Sequence, residues 1–437
     1  LGERQEKKKA KKYESGKCES LGMLSIGLVS YLHFKLNTSN FTLLIQIRRL
    51  QAVQDGQMDI LKFTDAHHDF RRRLRAFCET EIIPCVDQWE ADHDVPREMW
   101  RKMGRAGFLC PGVSPEYGGL GGDFIYSLIV TEEMSRTAQT GLAAPLHSDV
   151  VVPYIESFGS EALKRKYLPG CVSGDIVTAV AMSEPAAGSD LAAMETTGVE
   201  RDGWVAINGA KTFISNGIHC DLVIVAAVDP AIENRHQAVS LYVVEDGIPG
   251  FKRGNRLEKM GWHSQDTAEL FFTDCRIPVE NRLGQAGSGF FLLMDKLQQE
   301  RLTCAMGAVA AAERIVEYTI DHCKRTLEDG KPLARSQAAQ FALVEMSTEA
   351  RIGRTFLDKL IADHMEKKNI VVEVSMAKYW TTDMAHRLAA RSLELIGEDA
   401  ALEACPMVRA FRDTRVMSIF AGTNEIMKGI AAKFMGL

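Results

Sequence analysis

The sequence has no C-x-x-C pair and no H-x-x-x-H spacing, and its ten cysteines follow no regular interval. That excludes a zinc ribbon and a disulfide framework. The cysteines read instead as small, reduced core residues of a protein kept in a reducing compartment. Adjacent His67 and His68 point to different sides of a helix and cannot easily share a metal, so no metal site is expected. Charge of one sign is also missing. With 52 Lys+Arg against 58 Asp+Glu, the formal charge of -6 offers no counterion release to phosphates and argues against a nucleic-acid binder. The apolar stretch Leu21 to Phe34 is 14 residues, short of the ~20 a membrane span needs. There is no G-x-G-x-x-G between strand and helix, no G-x-x-x-x-G-K-[ST] and no G-x-S-x-G, so the usual dinucleotide folds, P-loops and nucleophile elbows are excluded. What is present is ample core: 437 residues, 46% hydrophobic and 25% charged, are room for two to four domains handling small molecules or protein partners.

Residues 1–56 stand apart. They hold ten Lys/Arg against five Asp/Glu, a surplus of +5, which leaves -11 on the remainder. The cluster Lys7 to Lys12 before an apolar stretch outlines a signal peptide, but Glu14 and Glu19 interrupt it and no small-residue cleavage site follows. The segment is expected to be dispensable, with the working protein starting near Met58, not secreted and without a transmembrane helix. The expected compartment is the cytoplasm, or the mitochondrial matrix in a eukaryote.

From residue 57 to about 172 the pattern is helical. Ile60, Phe63, Phe70, Leu74 and Phe77 recur at three-, four- and seven-residue steps, and Arg97 to Gly107 and Phe124 to Thr137 follow the same period. The glycines of Ser114-Pro-Glu-Tyr-Gly-Gly-Leu-Gly-Gly122 punctuate these runs. Residues 173–285 change to short β-type runs, including Val177-Thr-Ala-Val-Ala, Trp204-Val-Ala-Ile, Leu222 to Val228, Val239 to Val244 and Glu269-Leu-Phe-Phe. Residues 286–437 are helical again, in long Ala/Leu/Met-rich segments. The order is helical, β, helical, with neither repeats nor βαβ alternation.

Two stretches carry the chemistry. Ala181-Met-Ser-Glu-Pro-Ala-Ala-Gly-Ser-Asp190 follows a strand, and Lys211-Thr-Phe-Ile-Ser-Asn-Gly217 comes soon after. A Ser/Gly loop presents N–H groups and hydroxyls to a heteroatom-rich ligand, and an aromatic such as Phe213 can lie against a flat ring. The residues alone leave ordinary β-domain turns equally open.

The wording of these stretches resembles the acyl-CoA dehydrogenase family, flavoenzymes that dehydrogenate acyl-CoA thioesters between Cα and Cβ. The resemblance runs from about residue 60 to 437. It includes Pro115 to Gly122, the Met182-Ser-Glu-Pro block, Lys259-Met-Gly261, Asp266-Thr-Ala-Glu-Leu270, Arg276-Ile-Pro278 and Thr423-Asn-Glu-Ile-Met427. It is nearest in wording to the long-chain branch, through Met376-Ala-Lys-Tyr-Trp380 and Gln299-Glu-Arg-Leu302. It implies an α+β fold: an N-terminal helical domain, a central barrel-like β-sheet domain and a C-terminal four-helix bundle. It further implies FAD as cofactor, an acyl-CoA substrate, an electron-transferring flavoprotein as acceptor, and assembly as a homotetramer or homodimer.

Carried over by position, the resemblance implies that Val180, Met182, Ser183, Gly188 and Ser189 line the flavin and the start of the acyl-CoA site. It places Phe213 and Ser215 on the isoalloxazine, Thr423 and Glu425 where the terminal loop touches FAD, and Gln298 and Arg301, with Ser189, on the substrate. Arg325 and Gln337 match further cofactor contacts. Most members place a catalytic Glu just before the Gly-Thr of the terminal loop; here that residue is Ala421, which keeps only its backbone N–H. In the long-chain and isovaleryl branches the base comes from an earlier helix, where this chain has Glu300. Its apolar surroundings, Phe290 to Met294 and Leu302 to Val309, favour a raised pKa and a useful proton acceptor.

Two flavin motifs depart from the family. Its Arg-Lys-x-Phe-Gly-x segment, whose Arg reaches FAD from a neighbouring subunit, is here Lys324-Arg-Thr-Leu-Glu-Asp-Gly-Lys331, with Thr326 at the Arg position and Asp329 at the Phe position. Arg325 is one residue out of register, about 100° around a helix. Its Gln-x-x-Gly-Gly-x-Gly-Tyr becomes Glu394-Leu-Ile-Gly-Glu-Asp-Ala-Ala401, with Glu398 and Asp399 replacing glycine-lined approach. A carboxylate ~6 Å from a phosphate is repulsive by roughly 2–3 kcal/mol at an effective dielectric near 20. Three outcomes follow: weakened FAD binding, a contact remade by Arg325 or Lys331, or a non-redox acyl-CoA lyase, hydratase or isomerase using Glu300 for proton transfer alone. A non-catalytic subunit is a further alternative, against which an intact Glu300 speaks.

Overall fold

A computed structural model describes residues 60–437. The expectation for residues 1–56 lies outside these residues. Helices α1 (Asp65–Phe77), α2 (Val86–Asp92), α3 (Arg97–Arg105), α4 (Phe124–Arg136), α5 (Val152–Phe158) and α6 (Glu161–Ser173) form the first layer, with a π-helical turn at Leu146–Val151 leading into α5. The sequence periodicity places Ile60 and Phe63 on the first helix. The structure corrects this, because Thr64 caps α1: its hydroxyl accepts from the His67 N–H at 3.3 Å, and its own N–H donates to His67 Nδ1 at 3.1 Å. A reciprocal cap satisfies two otherwise orphaned helix-end donors and fixes the start there.

Strands β1 (Thr178–Ala181), β2 (Thr197–Arg201), β3 (Trp204–Ile214), β4 (Leu222–Val228), β5 (Val239–Glu245), β6 (Phe251–Arg256), β7 (Ala268–Pro278) and β8 (Arg282–Leu283) form one mixed sheet, and a single-turn α7 (Arg235–Ala238) precedes β5. Its order is β6-β7-β3-β2-β4-β5-β8, with β1 parallel to β4. Strand β4 is buried throughout. Side chains alternate across a strand, so Leu222, Ile224, Ala226 and Val228 join the core of the first helical layer, whereas Val223, Val225 and Ala227 join a second core on the opposite face.

The last layer holds α8 (Gly289–Arg325), α9 (Gln337–Met365), α10 (Val371–Ile396), α11 (Pro406–Arg415) and α12 (Asn424–Phe434). A hairpin, β9 (Leu327–Glu328) and β10 (Lys331–Pro332), follows α8. Helix α8 packs on α9, α10 and α4, and its Ala305, Ala308 and Ala312 present small side chains to a core with Leu128, Leu357 and Met384. Helix α8 therefore joins the two helical layers, and it carries Glu300.

Candidate functional site

Glu300 is half-buried on α8, and its Oε2 has no hydrogen-bond partner among the described residues. Burial pushes this carboxyl up to about 7, against the opposing pull of Arg301 and Lys378. Arg301 is itself buried with an unpartnered Nε, and burial lowers its pKa. The two residues beside Glu300 on its N-terminal side are anchors. Gln299 Nε2 donates to the Asp149 carbonyl at 2.7 Å, and Gln298 Oε1 accepts the Ile370 N–H at 3.2 Å. Gln298 thus ties α8 to the start of α10.

The loop after β1 and the end of β3 form a second element. A buried ion pair joins Lys211 Nζ to Glu184 Oε1 at 2.7 Å, and Lys211 also donates to the Met182 carbonyl at 3.1 Å. Glu184 accepts the N–H groups of Glu195 and Thr196 at 2.6 and 3.0 Å, and the Thr212 N–H donates to the Ser183 carbonyl at 3.0 Å. These bonds pin the loop containing Met182, Ser183, Gly188 and Ser189 against the strand that presents Phe213 and Ser215, next to the half-buried Val180 of β1. Phe213 sits at φ 57, where the β3–β7 register slips, and its side chain is 71% exposed. Left-handed backbone at an aromatic residue is uncommon, and here it turns the ring outward from the sheet. Gly188 is exposed, with open space around its Cα.

The terminal loop meets this β domain through Trp262. Its N–H donates to Asp413 Oδ1 at 2.7 Å, its Nε1 donates to the Asp413 carbonyl at 3.0 Å, and its ring meets Phe420 edge-on at 5.3 Å. A Cβ on Gly261 would come within 2.8 Å of the Arg412 backbone, so the Lys259-Met-Gly turn needs glycine. Burial holds the Asp413 carboxyl up at about 6. Ala421 and Gly422 both have positive φ, 54 and 84, immediately before Thr423, whose hydroxyl caps α12 by accepting the Ile426 N–H at 3.3 Å. Glu425 lies in the first turn of α12, and hydrogen bonds from its own backbone N–H and from Thr423 hold its carboxyl below the usual range.

The other predicted cofactor residues lie elsewhere in the chain. Arg325 is 25 residues along α8 from Glu300, roughly 37 Å at 1.5 Å per residue. It is exposed, its Nε bonded to the Asp321 carbonyl at 3.2 Å, and Gln337 is exposed at the start of α9. Asp329 and Gly330 have φ 50 and 75 in the β9–β10 turn, which explains Asp329 as a turn residue. Glu394, Glu398 and Asp399 are exposed at the end of α10, and Tyr318 feels both Arg325 and Asp399, so the two altered motifs are neighbours.

Lys211, Glu184 and Lys378 stand in the sequence only as parts of motifs, and nothing local marks their roles, because each acts through a contact distant in the chain. Asp413 carried no motif signal.

Three family domains match this chain: the acyl-CoA dehydrogenase N-terminal domain over residues 64–175, the middle domain over 179–275 and the C-terminal domain over 287–436. The chain belongs to the acyl-CoA dehydrogenase family. It is 40% identical to the long-chain specific acyl-CoA dehydrogenase, mitochondrial, of Sus scrofa over 374 residues, 85% of this chain and 86% of the relative. An acyl-CoA dehydrogenase of Bacillus subtilis is 33% identical across 84% of this chain and 96% of its own. Among solved structures, the acyl-CoA dehydrogenase of Geobacillus kaustophilus has a TM-score of 0.84 at 48% identity, covering 86% of this chain and 99% of its own. Butyryl-CoA dehydrogenase of Megasphaera elsdenii has a TM-score of 0.83 at 29% identity, covering 87% and 100%. Membership of this family settles the fold: N-terminal helices, central mixed sheet, C-terminal helices.

Proposed function

We propose that the protein is an acyl-CoA dehydrogenase using FAD, with Glu300 as the base that removes the Cα proton of an acyl-CoA thioester to give the trans-2-enoyl-CoA. The observation that carries the assignment of the base is the buried, unpartnered Oε2 of Glu300, poised near neutral pH, in a chain whose terminal-loop position is Ala421. A general base works best when its pKa lies near the working pH and it has no competing partner.

The residues present fit a flat heteroaromatic cofactor. Phe213 offers an outward ring beside a loop whose Gly188 is open, and the ion pair beneath keeps that loop fixed. Val180, Met182, Ser183, Gly188, Ser189, Phe213 and Ser215 would hold the flavin end, with Thr423 and Glu425 at the terminal loop. When bound, FAD supplies the acceptor for the Cβ hydride at its N5. Glu300 Oε2 takes the Cα proton as the Cα–Cβ double bond forms. The Ala421 N–H is offered to the thioester oxygen, where charge develops as the proton leaves. Arg301 and Ser189 are the substrate contacts of this reading; Gln298 serves it by anchoring α8.

Family and fold favour this dehydrogenation over the non-redox lyase, hydratase or isomerase. An electron-transferring flavoprotein is the acceptor we propose, and a second copy of the chain the partner. Phe341, Val344 and Ile352 form one exposed apolar stripe on α9, and an adjacent apolar pocket of about 470 Å³ includes Phe356, Trp380 and Met435. Such a face on a long helix suits a homodimer or homotetramer. The nine described cysteines are unpaired, which suits the cytoplasm or the mitochondrial matrix. No described helix is long and apolar enough to cross a membrane.

The test is spectroscopic. Purified protein should be yellow and should bleach when an acyl-CoA is added without oxygen. Colourless protein that still turns over an acyl-CoA would favour the non-redox reaction, and colourless inert protein a non-catalytic subunit.

A further inference from the structure

Lys378 is fully buried on α10, where a lysine is rarely found. Its Nζ donates to the Gly422 carbonyl at 2.7 Å and to Asn424 Oδ1 at 3.0 Å. Asn424 is in turn buried and fully engaged. Its amide donates to the Tyr379 carbonyl at 3.2 Å, to Thr382 Oγ1 at 3.0 Å and to Asp383 Oδ1 at 2.8 Å. The two residues just before this network, Ala421 and Gly422, are the consecutive left-handed pair of the terminal loop. The loop conformation is therefore held from behind by one ammonium and one amide.

No carboxylate lies within ion-pairing distance of this ammonium among the described residues. The charged and titratable groups that face it are Glu300, Arg301 and Cys304 on α8, Asp383 on α10 and Glu425 on α12. Glu300 also faces Arg301, Cys304 and, from α5, Tyr154. Burying an ammonium without a direct counter-ion is costly unless hydrogen bonds and nearby opposite charge offset it. A methionine or leucine at this position would fill the same volume without that cost, so the charge calls for a reason.

We propose that Lys378 is a positioning residue for the dehydrogenation: its buried ammonium fixes the backbone of the Ala421–Thr423 loop and, by its charge, keeps Glu300 available as the carboxylate. The inference rests on the reading of Glu300 as base given above. One group thereby couples the two halves of the proton-abstraction machinery, the side chain that receives the proton and the backbone loop that carries the Ala421 N–H. With the usual loop carboxylate replaced by Ala421, the backbone of the loop is tied to α10 through the bond from Lys378 to the Gly422 carbonyl.

The sign of the electrostatic part is fixed. A positive charge favours the ionised form of a neighbouring carboxyl, so its removal raises the Glu300 pKa and moves the acid limb of activity to higher pH. The experiment uses the purified, flavin-loaded protein and measures the rate of flavin bleaching by one acyl-CoA, without oxygen, from pH 5.5 to 9. K378M should retain bound flavin, react about 10- to 100-fold more slowly at pH 7 and show an acid limb about one unit higher. K378R keeps the charge and should leave the limb where it is in the unaltered protein, with the rate reduced. N424A loosens the loop while keeping the ammonium, and should lower the rate without moving the limb. A merely structural lysine would give slow variants whose limbs all coincide, and that result would overturn the proposal. So would an unchanged rate in N424A, a result that can be read even if K378M does not fold. Unaltered protein that binds flavin but is bleached by no acyl-CoA would refute the underlying dehydrogenase reading instead.

Discussion

The two ends of helix α8 differ in burial and in how firmly they are tied to the rest of the fold. Around Glu300 the surroundings are buried and tightly registered: Gln298 and Gln299 are bonded to the start of α10 and to the Asp149 carbonyl, and Lys378 donates to the Gly422 carbonyl of the terminal loop. About 37 Å away, around Arg325, the chain is exposed and passes into a hairpin, with Glu394, Glu398 and Asp399 nearby. With Glu300 as the base, the first end performs proton transfer, whereas the second carries the altered motifs through which the family resemblance would have this helix reach the FAD of a neighbouring subunit. The chemistry and the cofactor's affinity are thus carried by separate groups, and one can change while the other is kept. In that reading Glu300 keeps a base within the machinery although the loop residue is Ala421, and Thr326 and Glu398 would alter a contact that takes no part in the chemistry.

This contrast can be broken at several points. The largest effect is expected from Lys211→Met. It leaves Glu184 as an uncompensated buried charge, which should cost about 3–5 kcal/mol of stability, read from urea midpoints, and release flavin together with the loop it supported. An unchanged midpoint would mean that the fixed loop is not held by this pair.

Asp149 tests whether the Glu300 end is as buried as described. Its carboxyl is pushed up to about 7 by burial, with Ser127 Oγ donating to Oδ1 at 2.6 Å. Because the folded pKa lies above the unfolded one, the folded form binds more protons, and stability is lost as pH rises from about 4 to about 7. Asp149→Asn should therefore be more stable than the unaltered protein at pH 8, by about 2 kcal/mol, and the difference should shrink toward pH 5. Equal stability at both pH values would place this carboxyl in a wet environment.

At the Arg325 end the effects should be smaller. Glu398→Gln together with Asp399→Asn should tighten FAD binding by about threefold to tenfold in low salt, with the gain fading as ionic strength rises. Affinity that does not move would show that the acidic turn faces away from the cofactor. Arg325→Ala should change stability by no more than about 0.5 kcal/mol, since the side chain is exposed and, among the described residues, bonded only to its own helix. A large loss of flavin in that variant would instead reveal Arg325 as a remade phosphate contact.

Much of the fold was legible because its signals are local. Leu222 to Val228 and Val239 to Val244 read as strands from β-branched runs, α4 reads as a helix from its period and α8 from its Ala/Leu/Met-rich composition. Strand β2 was not legible, since Thr197-Gly-Val-Glu-Arg is largely polar and exposed and is ordered by pairing with β3. Asp329-Gly330 is a hairpin signal hidden by the family motif in which it falls. The candidate site was legible where a motif names the reacting group, as for Glu300. It was hidden where a buried charge acts across the fold: Lys378 and Gly422 are 44 residues apart, and Lys211 and Glu184 are 27 apart. No periodicity marks a lysine for burial.

The most direct test of the account is Glu300→Gln, which keeps the shape of the base and removes its basicity. Mixed with an acyl-CoA in the absence of oxygen, the variant should remain yellow, its flavin bleaching at least about a thousandfold more slowly than in the unaltered protein while flavin content is unchanged. Bleaching at the unaltered rate would contradict the account, because some other group would then be taking the proton.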